Sequence, residues 1–460
     1  MRPHKIAAIM LLLLTTIQLN AQDTLRLSLR ESLRYAEKNQ VAIRNALLDQ
    51  QISLARNKEV TGLALPQLKA NGGITHAPLV AAFMVPNFMK GAVAQFVQED
   101  AINQDAFQDP STNTLPLAFQ PRWTTTAAAE LTQILFDPSV MVALQARKAL
   151  EELAQKGVEL TVQDVKVAVS KAYYNLLIAE RQRALVDQNI ERLNQMEFEM
   201  EEMYKAGFVE KIDVDRIKVA LNNLKTQKVR VDQSISLAYL ALKYQMGLPL
   251  ATPIRLTDSL SDDFTGAELL LQEFHYRNRF EYQLLEIQRE LNEFDLKRYK
   301  LGWLPTLSAF GNYGYTLYNM EKLFQEGDEW QRTSMLGVNL SVPLFTGFQR
   351  KYQARQAELT LQKTQNDLIE LRRSLNLQEE NARITLRNNV MALGNQRENM
   401  ELAASVYNTA RIKYREGVGS SLEVMDAEAA LTEAQTNYFV ALYDVMTARV
   451  DLEKALGIIQ

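Results

Sequence analysis

The sequence predicts a mostly α-helical protein with a transmembrane β component, built from two internal repeats that each hold two long helices and two strands. Three observations carry that reading. One set of short motifs recurs at a fixed offset, two very long stretches run almost free of helix breakers, and four segments alternate with the period of a strand.

The repeat organises everything else. Tyr204-Lys205-Ala206-Gly207-Phe208 recurs as Tyr414-Arg415-Glu416-Gly417-Val418, 210 residues later. At the same offset Ile212-Asp213-Val214 meets Leu422-Glu423-Val424, Ala220-Leu221 meets Ala430-Leu431, and Leu242 to Gly247 meets Leu452 to Gly457. Leu135-Phe136 matches Leu344-Phe345 at offset 209. Further upstream the offset is 239: Asn39 meets Asn278, and Leu65-Pro66-Gln67-Leu68 meets Leu304-Pro305-Thr306-Leu307. One copy therefore carries a longer loop between Pro66 and Phe136. The expected division is 1–21, 22–250 and 251–460. A single-site enzyme fits that organisation poorly.

Residues 1–21 read as a secretory signal. Arg2 and Lys5 form a positive n-region, Ile6 to Ile17 an apolar stretch too short to span a bilayer, and Leu19-Asn20-Ala21 ends on a small residue. The competing reading, a membrane anchor, lacks a stop-transfer pattern. Hydrophobic residues at 47% and charged residues at 23% describe an ordered chain. The net charge of −4, near −6 without the two basic signal residues, gives no reason to expect nucleic acid. The chain has no cysteine, which excludes disulfides, thiolate metal sites and a Cys nucleophile.

Within the second copy a helix over 274–302 is stopped by Pro305. The period then changes to two. Strands are expected at about 306–319 and 334–345, where Leu336, Val338, Leu340, Val342 and Leu344 share one face and Gly337, Asn339 and Ser341 the other. The first copy offers about 69–77 and 123–136, with Trp123, Ala127, Ala129 and Leu131 on one face and Thr124, Thr126, Glu130 and Thr132 on the other. A soluble hairpin with a wet face is the plainer reading of any one such pair, because barrel signals are weak per strand. If the pairs span a membrane, Glu130 belongs in a watery lumen.

Helical hairpins follow at 139–246 and 348–457. The first arm, with Gly157 its one glycine, would be roughly 100 Å long. Ala354, Ala357, Leu361, Thr364, Leu368, Leu371 and Leu375 are spaced alternately three and four, as are Val165, Val169, Ala172, Leu176 and Ala179, which is coiled-coil spacing. Four strands cannot close a barrel, and open edges cannot face lipid. If the strands enter a membrane, the barrel is shared between chains, and the helical seams likewise need neighbours.

The whole chain from Leu27 to Gly457 resembles the TolC-like outer-membrane efflux proteins. The carriers are the Leu-Pro-x-Leu before each first strand, Pro343-Leu344-Phe345-Thr346-Gly347, the two Gly-centred hairpins, and most specifically Tyr414 through Gly419 to Glu428. The first copy departs at the joint, with Asp137-Pro138-Ser139 where the second has Thr346-Gly347. The resemblance implies a homotrimer in the outer membrane of a Gram-negative bacterium. Its twelve-stranded barrel would be continued by a periplasmic α-helical barrel. The role would be a passive exit duct of tripartite efflux or type I secretion, opened at its tip by a periplasmic adaptor protein and an inner-membrane transporter. No cofactor, metal or enzymatic activity is implied. A soluble periplasmic coiled-coil scaffold is the alternative; it explains the heptads and the signal but not the paired strands at matching positions.

Resemblance also assigns roles. Gly207, Phe208, Gly417 and Val418, at the hairpin tips, would dock the adaptor. Glu423 and Asp426, three apart on one helical face, would ring the pore and constrict it. Charges 4 Å apart repel by about 4 kcal/mol at an effective dielectric near 20, so such a ring favours cations. Ser420 and Glu423 also read as a capping box. Asp213 and Tyr414 occupy positions of the lock between neighbouring hairpins, but the lock's usual base falls at Gly419, leaving Arg216 or Lys211 as substitutes. Met196, Met200 and Met203 suit core packing better than a soft-metal path. His76 and His275 stand far apart, and no catalytic or phosphate-binding motif occurs. Phe83, Met84, Phe88, Met89 and Phe96, in the 77–121 loop, would be extracellular, capping the pore, packing on the barrel or meeting a surface partner.

Overall fold

The computed structural model describes residues 24–81, 83–86, 114–117, 121–259, 266–319, 323–324, 327 and 329–459. The expected signal and most of the 77–121 loop, including Phe88, Met89 and Phe96, lie outside them. In chain order the elements are β1 (Leu25–Leu27), α1 (Leu29–Asn39), α2 (Val41–Leu63), β2 (Gln67–His76), β3 (Phe83–Pro86), β4 (Thr114–Leu117), β5 (Trp123–Phe136) and α3 (Pro138–Lys205). There follow α4 (Lys211–Met246), β6 (Ile254–Leu256), α5 (Phe280–Leu301), β7 (Thr306–Asn319), β8 (Gln331–Ser341), α6 (Gln349–Arg415) and α7 (Ser421–Leu456). Among the described residues no helix is long and apolar enough to cross a membrane. The chain divides into two compact units, one holding the described parts of 1–52, 152–288 and 364–460, the other those of 53–151 and 289–363.

The first unit is helical. Its hairpin arms meet through the apolar stripe that the three-four spacing defines: Val169, Tyr173, Leu176 and Met200 of α3, Ile217, Leu242 and Met246 of α4, and Val424 and Met446 of α7 are all buried. Each such side chain contributes about 1.5–3 kcal/mol by leaving water. Met196 and Met200 are core residues, consistent with a packing role. On α6, Thr364 and Leu375 are buried. Leu377, Ile384 and Met391, one heptad apart, stay 62%, 43% and 64% exposed. Among the described residues nothing covers that second stripe.

A matching close approach occurs in both copies. A Cβ on Gly247, at the end of α4, would lie 2.8 Å from the Asn39 carbonyl oxygen. On Gly457, at the end of α7, it would lie 3.3 Å from that of Asn278. The two asparagines are the pair that the offset of 239 aligns. Their surroundings depart from the sequence reading. The first copy opens on two helices, because the chain breaks at Gln40, whose side-chain Nε2 donates to the Gln245 carbonyl at 3.0 Å. In the second copy α5 begins at Phe280 rather than 274, after a single tight turn over Tyr276–Asn278. A parallel pair, β1 with β6, joins the two copies at Leu25↔Ile254 and Leu27↔Leu256; three-residue strands leave no periodicity to read.

The second unit holds a four-stranded antiparallel sheet in the order β2-β5-β7-β8. β8 runs 331–341, so Val342 and Leu344 lie beyond it. Pro343 has no N–H to give the ladder, and Gly347 and Phe348 then turn the chain through φ of 59° and 62°. β2 begins at Gln67, directly after Pro66. Register sorts the faces. Leu68, Leu131, Gly311 and Leu336 lie in one row, and Ala70, Ala129, Tyr313 and Ser334 in the next. The opposite face carries Lys69, Glu130, Asn312 and Met335 in one row, with Asn71, Ser308 and Asn339 nearby. The apolar faces of separate strands thus coincide. Glu130 sits on the polar face, opposite Lys69, and accepts a 3.3 Å hydrogen bond from Asn71 Nδ2. Among the described residues, β2 and β8 each have one edge that no strand pairs.

Candidate functional site at the hairpin tips

Both tips are built by the same backbone logic. After Lys205 and Arg415 the chain needs a residue that tolerates the left-handed conformation, and Gly207 (φ 81°) and Gly417 (φ 75°) supply it. Phe208 N–H then donates to the Met203 carbonyl at 2.9 Å, and Val418 N–H to that of Lys413 at 3.0 Å, satisfying carbonyls the helix leaves open. In this motif the residue after the glycine often folds back on the helix. Here Phe208 stays 79% exposed and Val418 78% exposed. Each tip therefore displays one apolar side chain to solvent, beside Tyr204, Ile212 and Leu422, which are also exposed.

α7 starts on Ser420, whose Oγ accepts from Glu423 N–H at 3.2 Å. Only that half of the capping box forms, so the Glu423 carboxylate is not spent on the cap. Among the described residues, neither Glu423 nor Asp426 has an ion-pair or side-chain hydrogen-bond partner. The two line one shallow groove with Val406, Thr409 and Lys413.

Asp213 and Tyr414 come near each other but do not bond. Asp213 accepts from Ser421 Oγ, which ties the start of α4 to the start of α7. The Tyr414 hydroxyl donates instead to Met200 Sδ at 2.6 Å. Burial, and then the Asp213 charge, push the Tyr414 phenol upward. Of the two substitute bases, Arg216 reaches Asp213, Nη1 to Oδ1 3.6 Å. Both sit on α4, so this pair braces one helix rather than bridging two. Gly419 has no room for the missing base: a Cβ there would lie 3.0 Å from Lys413 Cβ and 3.1 Å from the Tyr414 nitrogen.

One constellation escaped the sequence reading. Arg192 on α3 pairs with Glu428 on α7, Nη2 to Oε1 3.2 Å, and also donates to Asn189 Oδ1 at 2.7 Å. Asn189 Nδ2 in turn donates to Gln435 Oε1 at 2.9 Å, and the guanidinium stands over the Tyr407 ring. Burial pushes the Glu428 carboxyl up, and Arg192 partly offsets it. The available signal was an acid on the buried stripe of α7, between Val424 and Leu431.

Residues 285–458 match the family model described as outer membrane efflux protein. The outer membrane protein TolC of Vibrio cholerae is 22% identical over 336 residues, 72% of this chain and 76% of that protein. The alkaline protease secretion protein AprF of Pseudomonas aeruginosa is 22% identical over 345 residues, 72% of this chain and 69% of that protein. In structure, the outer membrane protein VceC of Vibrio cholerae superposes with a TM-score of 0.71 at 16% identity, covering 93% of this chain and 96% of that one. The CmeC outer membrane channel of Campylobacter jejuni gives 0.69 at 15% identity, covering 93% and 85%. By sequence over its second half and by fold over nearly its whole length, the chain is similar to the outer-membrane efflux proteins.

Proposed function

We propose that this chain is the outer-membrane channel of an efflux or type I secretion system, assembled from three copies. The observation that carries the reading is the sheet: four strands, one apolar face, one polar face and two unpaired edges. In a bilayer an open edge leaves backbone groups unsatisfied at several kcal/mol each, so edge β8 of one copy must pair with edge β2 of the next. Three copies give twelve strands, with the Glu130 face toward the lumen. The exposed Leu377, Ile384 and Met391 stripe needs covering in the same way, and neighbouring copies supply that cover.

In this reading the two repeats, 22–250 and 251–460, contribute equivalent strands and hairpins to one duct. The hairpin tips close its periplasmic end. Glu423 and Asp426, unpaired in the single chain, would form a ring of six carboxylates, and Asp213 with Ser421 would hold the hairpins together. The apolar Phe208 and Val418, presented by Gly207 and Gly417, would meet the periplasmic adaptor, which opens the tip for an inner-membrane transporter. The matching family model is described as outer membrane efflux protein and the relative AprF is named for alkaline protease secretion, so both cargo classes fit. Scoring drug sensitivity against loss of a secreted protein in a deletion strain separates them.

The scaffold alternative leaves the apolar sheet face unexplained. Membrane fractionation tests the choice. A channel stays in the outer membrane through a salt wash, leaves with detergent and runs as a trimer when unheated. Release by salt alone would favour a periplasmic scaffold.

A further inference from the structure

We propose that a cavity at the foot of the sheet, between the end of α5 and the start of α6, binds the phosphate of a glycerophospholipid from the inner leaflet of the outer membrane. The inference rests on the membrane reading above. The cavity, about 330 Å³, is lined by Arg298, Tyr299, Gly302, Gln349, Arg350 and Gln353, with Ser139 at its margin. Its charge is set by two arginines. Arg350 has no hydrogen-bond or ion-pair partner among the described residues. Arg298 gives Nη2 to Asp295 at 2.8 Å and stands over the Tyr299 ring, but its Nε is buried and unpartnered. Buried donors without acceptors are costly, and guanidinium groups match phosphate oxygens.

The space is made by the chain. A Cβ at Gly302 would stand 3.2 Å from Arg350 Nη1, so any side chain there pushes the guanidinium away. The repeat shows what is missing. In the first copy Asp137 brings a carboxylate to the start of α3, its Oδ1 accepting from Ser139 N–H at 2.7 Å and Val140 N–H at 3.4 Å. The position that aligns with Asp137 in the second copy is Thr346, whose buried Oγ1 has no hydrogen-bond partner among the described residues. At the second joint the position aligned with Asp137 carries no carboxylate, and Asp295 meets only one of the two arginines.

The surroundings favour a lipid as the source of the phosphate. Trp303, Leu344, Phe345, Phe348 and Tyr352 are 48%, 87%, 75%, 59% and 62% exposed. They lie around the same joint, where the apolar face of the sheet ends. Aromatic side chains beside arginines mark the depth at which acyl chains give way to headgroups.

The test uses the full chain purified in non-ionic detergent, with native mass spectrometry counting bound dihexanoyl-phosphatidylglycerol. Inorganic phosphate serves as competitor. The proposal expects one lipid per chain, with apparent affinity falling about tenfold or more in Arg350→Gln and in Gly302→Val. Phosphate should compete only weakly. Equal lipid retention in wild type and both variants would overturn it. So would phosphate binding as tight as the lipid, which would make this a free-anion site. Thermal melts and outer-membrane fractionation of the same variants check the fold and the membrane reading separately. Normal fractionation with unchanged lipid retention defeats the lipid site alone.

Discussion

Arg192 and Glu428 join the outgoing helix of the first hairpin to the returning helix of the second, with the carboxylate 4% and the guanidinium 29% exposed. Removing one partner of such a pair leaves a stranded charge. Arg192→Met should cost about 3 kcal/mol, the lower end of the usual range because the guanidinium is part exposed. Adding Glu428→Leu should restore most of that. Thermal melts of the detergent-solubilised protein measure both. A double variant as unstable as the single one would contradict the pairing.

The same group gives a pH signature. Glu428 is raised above its ordinary value of 4.5 by burial, so the folded state holds its proton more tightly than the unfolded chain does. Its contribution to stability is therefore full below that ordinary value and is lost as pH rises through the higher folded-state value. The Tm of wild type relative to Glu428→Gln should rise as pH falls from about 7.5 toward about 5. A difference that stays flat, or moves the other way, would assign the carboxyl an ordinary environment.

Asp213 is held by Ser421 from the neighbouring hairpin. Ser421→Ala should weaken the closed tip by about 0.5–1.5 kcal/mol, seen as more frequent spontaneous opening in planar bilayers. Tyr414→Phe should have less effect on opening, because its hydroxyl goes to Met200 within the packed core. If the tyrosine variant opens the channel and the serine variant does not, the link has been placed on the wrong residue.

Glu423 and Asp426 are acids near the tip without an ion-pair or side-chain hydrogen-bond partner among the described residues. Neutralising both, as Glu423→Gln with Asp426→Asn, should lower cation over anion selectivity without reducing trimer yield. Reversal potentials in a salt gradient read the change. Selectivity identical to wild type would remove them from the pore.

The sheet faces are tested by lysine placement. Val338→Lys, on the apolar face, should cost about 2–4 kcal/mol and reduce assembled protein in the outer membrane. Asn339→Lys, one residue on, should be tolerated because it faces the polar side. Equal loss from both would mean that the two faces are not distinguished by their surroundings.

Long-range architecture was legible because it is written in periods. The recurrence of Tyr204 to Phe208 at Tyr414 to Val418 marked the hairpin tips, and alternation from Trp123 and Leu336 marked the two faces of the sheet. What was not legible depends on contacts between distant segments. Gln40 breaks a helix because its amide reaches Gln245, and β1 with β6 is too short to show a pattern. Strand β8 ends early for a local reason, Pro343, that the alternation of Val342 and Leu344 masked. At the tips the resemblance put Asp213 and Tyr414 at lock positions, and within one chain packing gives the first to Ser421 and the second to Met200.

A barrel shared between copies requires edge β8 of one copy to lie beside edge β2 of the next. Because the chain has no native cysteine, paired cysteines test it directly. One is placed at Asn71 on edge β2, and the other is scanned along edge β8 from 331 to 341. Oxidation in isolated outer membranes should give intermolecular disulfides in one narrow register, with a covalent trimer on non-reducing gels, since only Cα atoms about 4.4–6.8 Å apart can bridge. Monomer alone at every position, with the protein still inserted in the membrane, would contradict it.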